Sequence, residues 1–402
     1  MVTSSNMLPD APEDCFRYAC ERFNNHLYDE LTEAGFRRAL AGNPDWPEAL
    51  NYLGYVLRKQ GRNNEALTSF NDAISLQPEY VEARANRALV LLHLGEYRAG
   101  WREYELRLQH QPDLLPALPL LYWRGESLAG KRILLIGEQG LGDQLQFMRF
   151  APMLTKEGGK VELLVSTQLE KIAQSLPTIE NVHSSINAEP GYYDYQCSLM
   201  SLPAILGTSL ETIPAKVPYL KAEVEACRHA EHSLAKLAGY KLRVGLVWAG
   251  GKHKADDAKA RAFDDKRSLD FESLAPLGDL PGISFFSLQL GQEAGKLGIY
   301  KEAGWNTPLH DLSAEINDYA DTAAWVSRLN LLIGCDTSIV HLAGAMGRPV
   351  WVLNRYDNCW RWLKGRGGTP WYPTMYLFRQ PQPGDWQSVV NDVVAKLSAL
   401  LK

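Results

Sequence analysis

Residues 47–78 read PEALNYLGYVLRKQGRNNEALTSFNDAISLQP, and this stretch is one copy of a pattern that recurs around it. Pro44, Pro78 and Pro112 are 34 residues apart. Phe36, Phe70 and Tyr104 keep the same interval. So do two columns of mostly small residues, Cys20, Gly54 and Ala88, and Thr32, Ala66 and Gly100. Gly61 and Gly95 fall where a turn would separate two helices. Each unit therefore reads as helix, turn, helix, proline stop. The small residue lets a neighbouring helix come close, the aromatic fills the gap, and proline cannot continue the backbone ladder. A fixed period of this length means stacked supersecondary units.

These columns resemble the tetratricopeptide repeat, with three units near 13–46, 47–80 and 81–114. The first unit has Leu27 in place of the turn glycine. The resemblance implies that first helices line a concave groove, which on this register carries Tyr18, Tyr52, Tyr55, Lys59, Asn86 and His93. Two roles are open for that face: holding a peptide or protein partner, or bracing the following domain. Three units are about the minimum for a stable stack.

Past a Leu/Pro-rich loop at 113–122 the period changes. KRILLIGEQGLGDQLQFMRFAPML (131–154) reads as a buried strand, a glycine turn and a helix. Further strands are expected near 160–166, 180–183, 193–197, 243–248, 283–288, 331–334, 349–353 and 374–378. Helices are expected at 144–154, 167–175, 221–239, 270–277, 315–328, 337–346 and 386–400. Alternating strands and helices imply parallel sheets, here in two Rossmann-like halves with ligands at the carboxyl ends of the strands. The fold class is thus α + α/β.

Four segments carry possible chemistry. Gly137–Asp143, GEQGLGD, follows the first strand, and Gly140 and Gly142 let backbone N–H groups approach a ligand. Its spacing is not that of a P-loop or of GxGxxG. Asp143 is either a helix cap or a carboxylate able to take a proton from an acceptor hydroxyl. In Gly334–Val350, GCDTSIVHLAGAMGRPV, Asp336, Thr337 and Ser338 open a helix and His341 follows one turn on, an arrangement able to hold a diphosphate. The loop 250–269 places Lys252, Lys254, Lys259, Arg261, Lys266 and Arg267 against four aspartates. It is either a solvated surface or a segment ordered by an anion, with Arg267 and Ser268 at the next helix start as phosphate contacts. In CWRWLKGRGGTPWYP (359–373), Trp360, Trp362, Trp371 and Tyr372 either stack on a sugar or base or anchor a long loop, and Arg361 could pair with phosphate.

Composition excludes several alternatives. A net charge of −5, from 42 basic and 47 acidic residues, lacks the basic excess of a general nucleic-acid binder. No apolar run reaches the roughly 18 residues of a membrane span. The start, MVTSSNMLPDAPEDC, has acids and prolines where a secretion signal has a basic then apolar stretch. Six scattered cysteines without a CxxC pair read as reduced thiols, so the expected compartment is the cytoplasm and no metal site is expected.

The region from Trp123 to Leu401 resembles glycosyltransferase family 9, the heptosyltransferase group, through Gly142-Asp143 and Asp336-Thr337…His341-Leu342-Ala343. It is similar also to bacterial proteins that join tetratricopeptide repeats to such a domain. The resemblance implies a GT-B fold, inverting transfer from a nucleotide-sugar co-substrate, and no required metal or cofactor. It implies Asp143 as general base. It implies that Asp336, Thr337, Ser338 and His341 hold the donor diphosphate; together with the segments read above, the expected donor site is Gln139, Gly140, Gly142, Lys252, Arg267, Ser268, Gln289, Asp336, Thr337, Ser338 and His341. SLQLG (287–291) carries Leu290 where relatives usually have Lys. A protein acceptor chosen by the repeats through Tyr18, Tyr52, Tyr55 and Asn86 is the leading expectation. The alternatives are transfer to a lipid-linked or small saccharide, and a non-catalytic adaptor. The expected boundaries are 13–115 for the repeats, 123–222 for the acceptor half, 240–385 for the nucleotide-sugar half and 386–402 for a terminal helix.

Overall fold

The computed structural model describes residues 8–186, 191–237, 239, 242–251, 264–299 and 304–401. They form two compact units. The first holds the N-terminal helices together with 207–212 and 357–364, and the second holds the rest.

In the first unit, helix pairs α1 (Pro12–Asn24) and α2 (Glu30–Gly42), α3 (Pro47–Lys59) and α4 (Asn63–Leu76), and α5 (Val81–Leu94) and α6 (Tyr97–Tyr104) follow one another. Pro12 and Pro47 sit in first turns, where a missing N–H costs nothing. The small column has a measurable cause. A Cβ on Gly54 would lie 2.8 Å from the ring of Phe70, so the aromatic column seats directly on the small one. Gly61 and Gly95 adopt φ of 76° and 87° in the turns. The first unit lacks that glycine, and there His26 takes φ 59°. Phe36, Leu53, Val56, Phe70 and Val90 form the core of the stack.

The second unit contains two all-parallel sheets. Strands β1 (Leu121–Tyr122), β2 (Arg132–Ile136), β3 (Lys160–Leu164), β4 (Asn181–His183) and β5 (Tyr195–Ser198) take the order β1-β5-β2-β3-β4. Strands β6 (Leu242–Val247), β7 (Ile283–Ser287), β8 (Leu309–Asp311), β9 (Leu331–Cys335), β10 (Val350–Asn354) and β11 (Met375–Arg379) take the order β11-β10-β9-β6-β7-β8. Their near-continuous apolar runs are buried, as parallel strands require. Each sheet reverses direction once. The chain leaves β2 toward β3 and returns to its other side as β5; it leaves β6 toward β7 and returns as β9. Such switch points open a crevice at the carboxyl ends of the strands. The chain is therefore a tetratricopeptide array followed by a GT-B-like pair of α/β halves.

Three local expectations are corrected. The helix expected at 144–154 is Leu141–Phe147, then a tighter turn at Met148–Phe150, then Ala151–Lys156, because Pro152 supplies no N–H to a continuous ladder. β1 falls in the stretch read as loop, and β8 in a stretch to which the sequence assigned no element. The last helix, Trp386–Leu400, does not stand apart: Val389, Val390, Val393 and Leu397 are buried in the core of the second sheet.

Candidate active site

The segment after β2 is shaped by its own backbone. Gln139 is exposed and takes φ 59°, a left-handed conformation uncommon for a side chain other than glycine. The helix Leu141–Phe147 then starts after Gly140. Asp143 is its third residue, not its N-cap, and its Oδ2 accepts the Gly140 N–H at 3.0 Å. The carboxylate is half-buried at a positive helix end. One residue on, Gln144 pins the end of β3: its Oε1 accepts from the Ser166 N–H and its Nε2 donates to Ser166 Oγ, both at 2.9 Å. Beneath the loop, Glu138 is 3% exposed and accepts from Ser198 Oγ at 2.7 Å. That bond spans the β2/β5 crevice. Sequence reading missed Glu138; an acid two residues after a four-residue apolar run was the available signal.

In the second sheet, β9 runs into Asp336 and Thr337, and the helix Ser338–Ala345 begins there. Thr337 is the N-cap but forms no side-chain cap; its Oγ1 donates instead to the Cys335 carbonyl at 3.3 Å. The first-turn N–H groups thus keep their capacity toward an anion. Ser338 Oγ is hydrogen-bonded to the Tyr319 hydroxyl. Across the β6/β9 crevice, Arg267 donates to the Asp336 carbonyl at 3.1 Å and pairs with Asp264. Gly250 makes room for it, since a Cβ there would stand 2.7 Å from the guanidinium.

His341 is 5% exposed. Its Nδ1 lies 3.1 Å from the Tyr372 hydroxyl and its Nε2 3.8 Å from Asp336 Oδ1. The two glycine- and histidine-bearing helices, about 200 residues apart in sequence, meet here: a Cβ on Gly142 would come 2.9 Å from His341 Cδ2 and 3.4 Å from Ser338 Cα. Behind them lies Arg149, 4% exposed. It donates to the carbonyls of Gln146 at 2.8 Å and Trp371 at 2.6 Å, and to the Tyr219 hydroxyl at 3.0 Å. The guanidinium carbon stands 4.4 Å from the Tyr372 ring centre, 4.9 Å from Tyr219 and 5.4 Å from Trp371.

The structure thus brings together Gly142, Asp336, Thr337, Ser338 and His341, with Arg267 on Asp336, while Asp143 is the residue after Gly142. Other expectations are corrected. Gln289 is spent on the fold: its Oε1 accepts from Trp248 and Ala249 N–H at 3.1 and 3.0 Å, and its Nε2 donates to the Ala249 and Leu290 carbonyls, each at 3.2 Å. The Ser268 hydroxyl accepts from the Gly250 N–H and donates to the Asp264 carbonyl, holding its loop. Lys252, with Lys254, Lys259 and Arg261, lies outside the described residues. The aromatic stretch is an anchor and not a platform: Trp360, Trp362, Trp371 and Tyr372 are all buried. Trp360 packs edge-on to Trp101 at 5.1 Å and to Tyr97 at 6.3 Å within the repeat unit. Arg361 is buried over Trp360 and donates to Cys359 Sγ at 2.8 Å.

The repeat face is also more tightly knit than expected. Tyr52 stacks on Phe36 at 5.6 Å and meets Phe23 at 4.8 Å. Tyr55 packs on Phe23 at 5.0 Å, and the Arg58 guanidinium lies 4.8 Å over its ring. Asn86 donates to Asn51 Oδ1 at 3.0 Å, tying α5 to α3. Tyr18 is half-buried with Arg22 at 5.8 Å. The segment 357–364 returns to this unit, with Asp357 3.6 Å from Lys59 Nζ and Lys364 Nζ donating to the Gly61 carbonyl at 2.6 Å.

Comparison with known proteins bears on both units. Two repeat models match, described as TPR repeat over residues 54–95 and as tetratricopeptide repeat over residues 33–74. The N-terminal region is a tetratricopeptide-repeat array. Protein FlbA of Caulobacter vibrioides is 26% identical over 97% of this chain and 73% of its own length. Among solved structures, the ADP-heptose lipopolysaccharide heptosyltransferase II of E. coli is 13% identical, with a TM-score of 0.45, over 67% of this chain and 98% of that one. The family 9 glycosyltransferase of Veillonella parvula is 12% identical, with a TM-score of 0.48, over 70% of this chain and 100% of that one. No helix among the described residues is long and apolar enough to cross a membrane.

Proposed function

We propose that the chain is an inverting glycosyltransferase that moves a sugar from a nucleotide-sugar donor to a hydroxyl of a protein acceptor chosen by the repeats. The observation that carries this reading is the meeting of Gly142 with Ser338 and His341 beside an uncapped helix N-terminus, at a crossing of two α/β halves. The donor diphosphate lies against the N–H groups of that helix, with Thr337, Ser338, His341 and Arg267 around it. Asp336 acts through its neighbours, because a carboxylate repels phosphate; it fixes Arg267 by its carbonyl and faces His341 by its side chain.

Asp143 takes the proton from the acceptor hydroxyl. The oxygen attacks the anomeric carbon opposite the departing diphosphate, the bond to the diphosphate breaks, and the nucleoside diphosphate leaves with the electron pair. Its charge is met by the helix end and the guanidinium, so the step needs no metal or cofactor.

Two measurements test the reading. A panel of sugar nucleotides in thermal melting should include one that raises Tm, since a ligand at 100 times its Kd adds about 2.7 kcal/mol. No shift with any donor would favour an adaptor without catalysis. Asp143→Asn keeps an acceptor for the Gly140 N–H, so it should bind donor normally and lose turnover by about 10²–10⁴. Full turnover in that variant would refute Asp143 as the base.

A further inference from the structure

Arg149 carries a charge in a nearly dry place, and the groups that receive its N–H bonds are neutral: the carbonyls of Gln146 and Trp371 and the phenols of Tyr219 and Tyr372. An arrangement this costly orders its surroundings. Tyr219 spends its proton on the Leu145 carbonyl at 2.9 Å, so its oxygen is left to receive Arg149. Tyr372, fully buried, has the guanidinium against its ring, with His341 Nδ1 and Tyr219 both beside its hydroxyl. Burial pushes the Tyr372 phenol well above its ordinary value, so it remains a proton donor. A cation beside a phenol strengthens it as a donor and weakens it as an acceptor.

We propose that Arg149 and Tyr372 are positioning residues that hold His341 as its neutral Nε2–H tautomer. Tyr372 donates to Nδ1, and an imidazole that accepts at Nδ1 carries its proton on Nε2. That N–H then faces the Asp336 and Gly142 side, where an anion would need a donor. The part played in catalysis rests on the function proposed above; the tautomer does not.

The test is nitrogen NMR on the full chain labelled with ¹⁵N-histidine, with His341 assigned by the signal missing from His341→Gln. The expected result is a pyridine-like Nδ1 and a pyrrole-like Nε2. Tyr372→Phe should reduce the tautomer ratio about tenfold, the worth of one buried hydrogen bond. Arg149→Lys keeps the charge and should keep the tautomer. Tyr219→Phe removes the other group beside the Tyr372 hydroxyl and should leave His341 in the same tautomer. A pyrrole-like Nδ1 in the wild-type protein would overturn the proposal, and this needs no variant to fold. So would a Tyr372→Phe spectrum identical to wild type. Failure to find any sugar donor would count against the transferase reading and leave the spectrum standing.

Discussion

Gly142→Ala is the sharpest probe of the contact between the two motifs. The new methyl would sit 2.9 Å from His341 Cδ2, 3.4 Å from Ser338 Cα and 3.5 Å from His341 Nε2. Carbon atoms settle at about 3.5–4.0 Å, so the ring must retreat by roughly 0.6 Å or more. It has little freedom to do so, being 5% exposed and held at Nδ1 by Tyr372. Overpacking of this kind costs about 1–3 kcal/mol. Alanine returns about 1 kcal/mol, because position 142 is inside a helix and its φ is not left-handed. The net loss of stability is therefore about 0–2 kcal/mol, a fall in Tm of at most several degrees in a unit this large. Donor binding should suffer more, because a displaced His341 misaligns the donors around the diphosphate. We expect donor affinity, measured by calorimetry with the sugar nucleotide found in the melting panel, to fall about 10- to 100-fold. Unchanged affinity and turnover in a folded Gly142→Ala protein would refute the assignment of this contact to the site.

Three further outcomes follow from the same structure. Gln289→Ala leaves two buried N–H groups and two carbonyls without partners, so chemical denaturation should show a loss of about 2–4 kcal/mol, with donor affinity of the folded protein unaffected. Trp360→Ala removes a ring packed on Trp101 and Tyr97 and should cost the repeat unit about 3–5 kcal/mol, read by its melting. Glu162 on β3 is buried, which works against its charge. Hydrogen bonds from His183, Tyr193, Tyr192 and Asn181, with Arg132 at 2.6 Å, outweigh this and hold its carboxyl at about 2. A depressed carboxyl stabilises above its unfolded value and loses that contribution as pH falls toward 2. Allowing for solvent screening, about 1–2 kcal/mol should vanish between roughly pH 4.5 and 2, and Glu162→Gln should flatten that part of the acid titration.

The repeat period was legible because it is written in steric terms. Gly54 is small because Phe70 lies on it, and both facts are in the sequence at a fixed distance. The alternation of β2, β3, β6, β7 and β9 with helices was legible for a similar reason, since buried parallel strands are largely apolar. β1 and β8, of two and three residues, show no alternation or apolar run that marks them as strands. Gln289 reads as a ligand contact because it lies in SLQLG, the segment that resembles one in relatives. It suits equally well the pinning of a backbone turn, and only the position of residues 248–249 decides. Arg149 was missed because a charged residue in a helix reads as solvated. Its burial depends on Tyr219, Trp371 and Tyr372, which the fold brings from distant parts of the chain. Asp143 was read as a possible cap or base. Its bond to Gly140, made from the third helical position, supplies the first role.

The return of residues 357–364 to the repeat unit has a consequence for synthesis and inheritance. Trp101 and Tyr97 emerge from the ribosome some 260 residues before Trp360, which packs on them. The array therefore waits through the making of nearly the whole second unit with aromatic surface uncovered, a period in which a holding factor has something to grip. For the same reason a cut after residue 114 does not release a finished array. The loop between β10 and β11 must travel with the helices, so the two units are portable only as a pair.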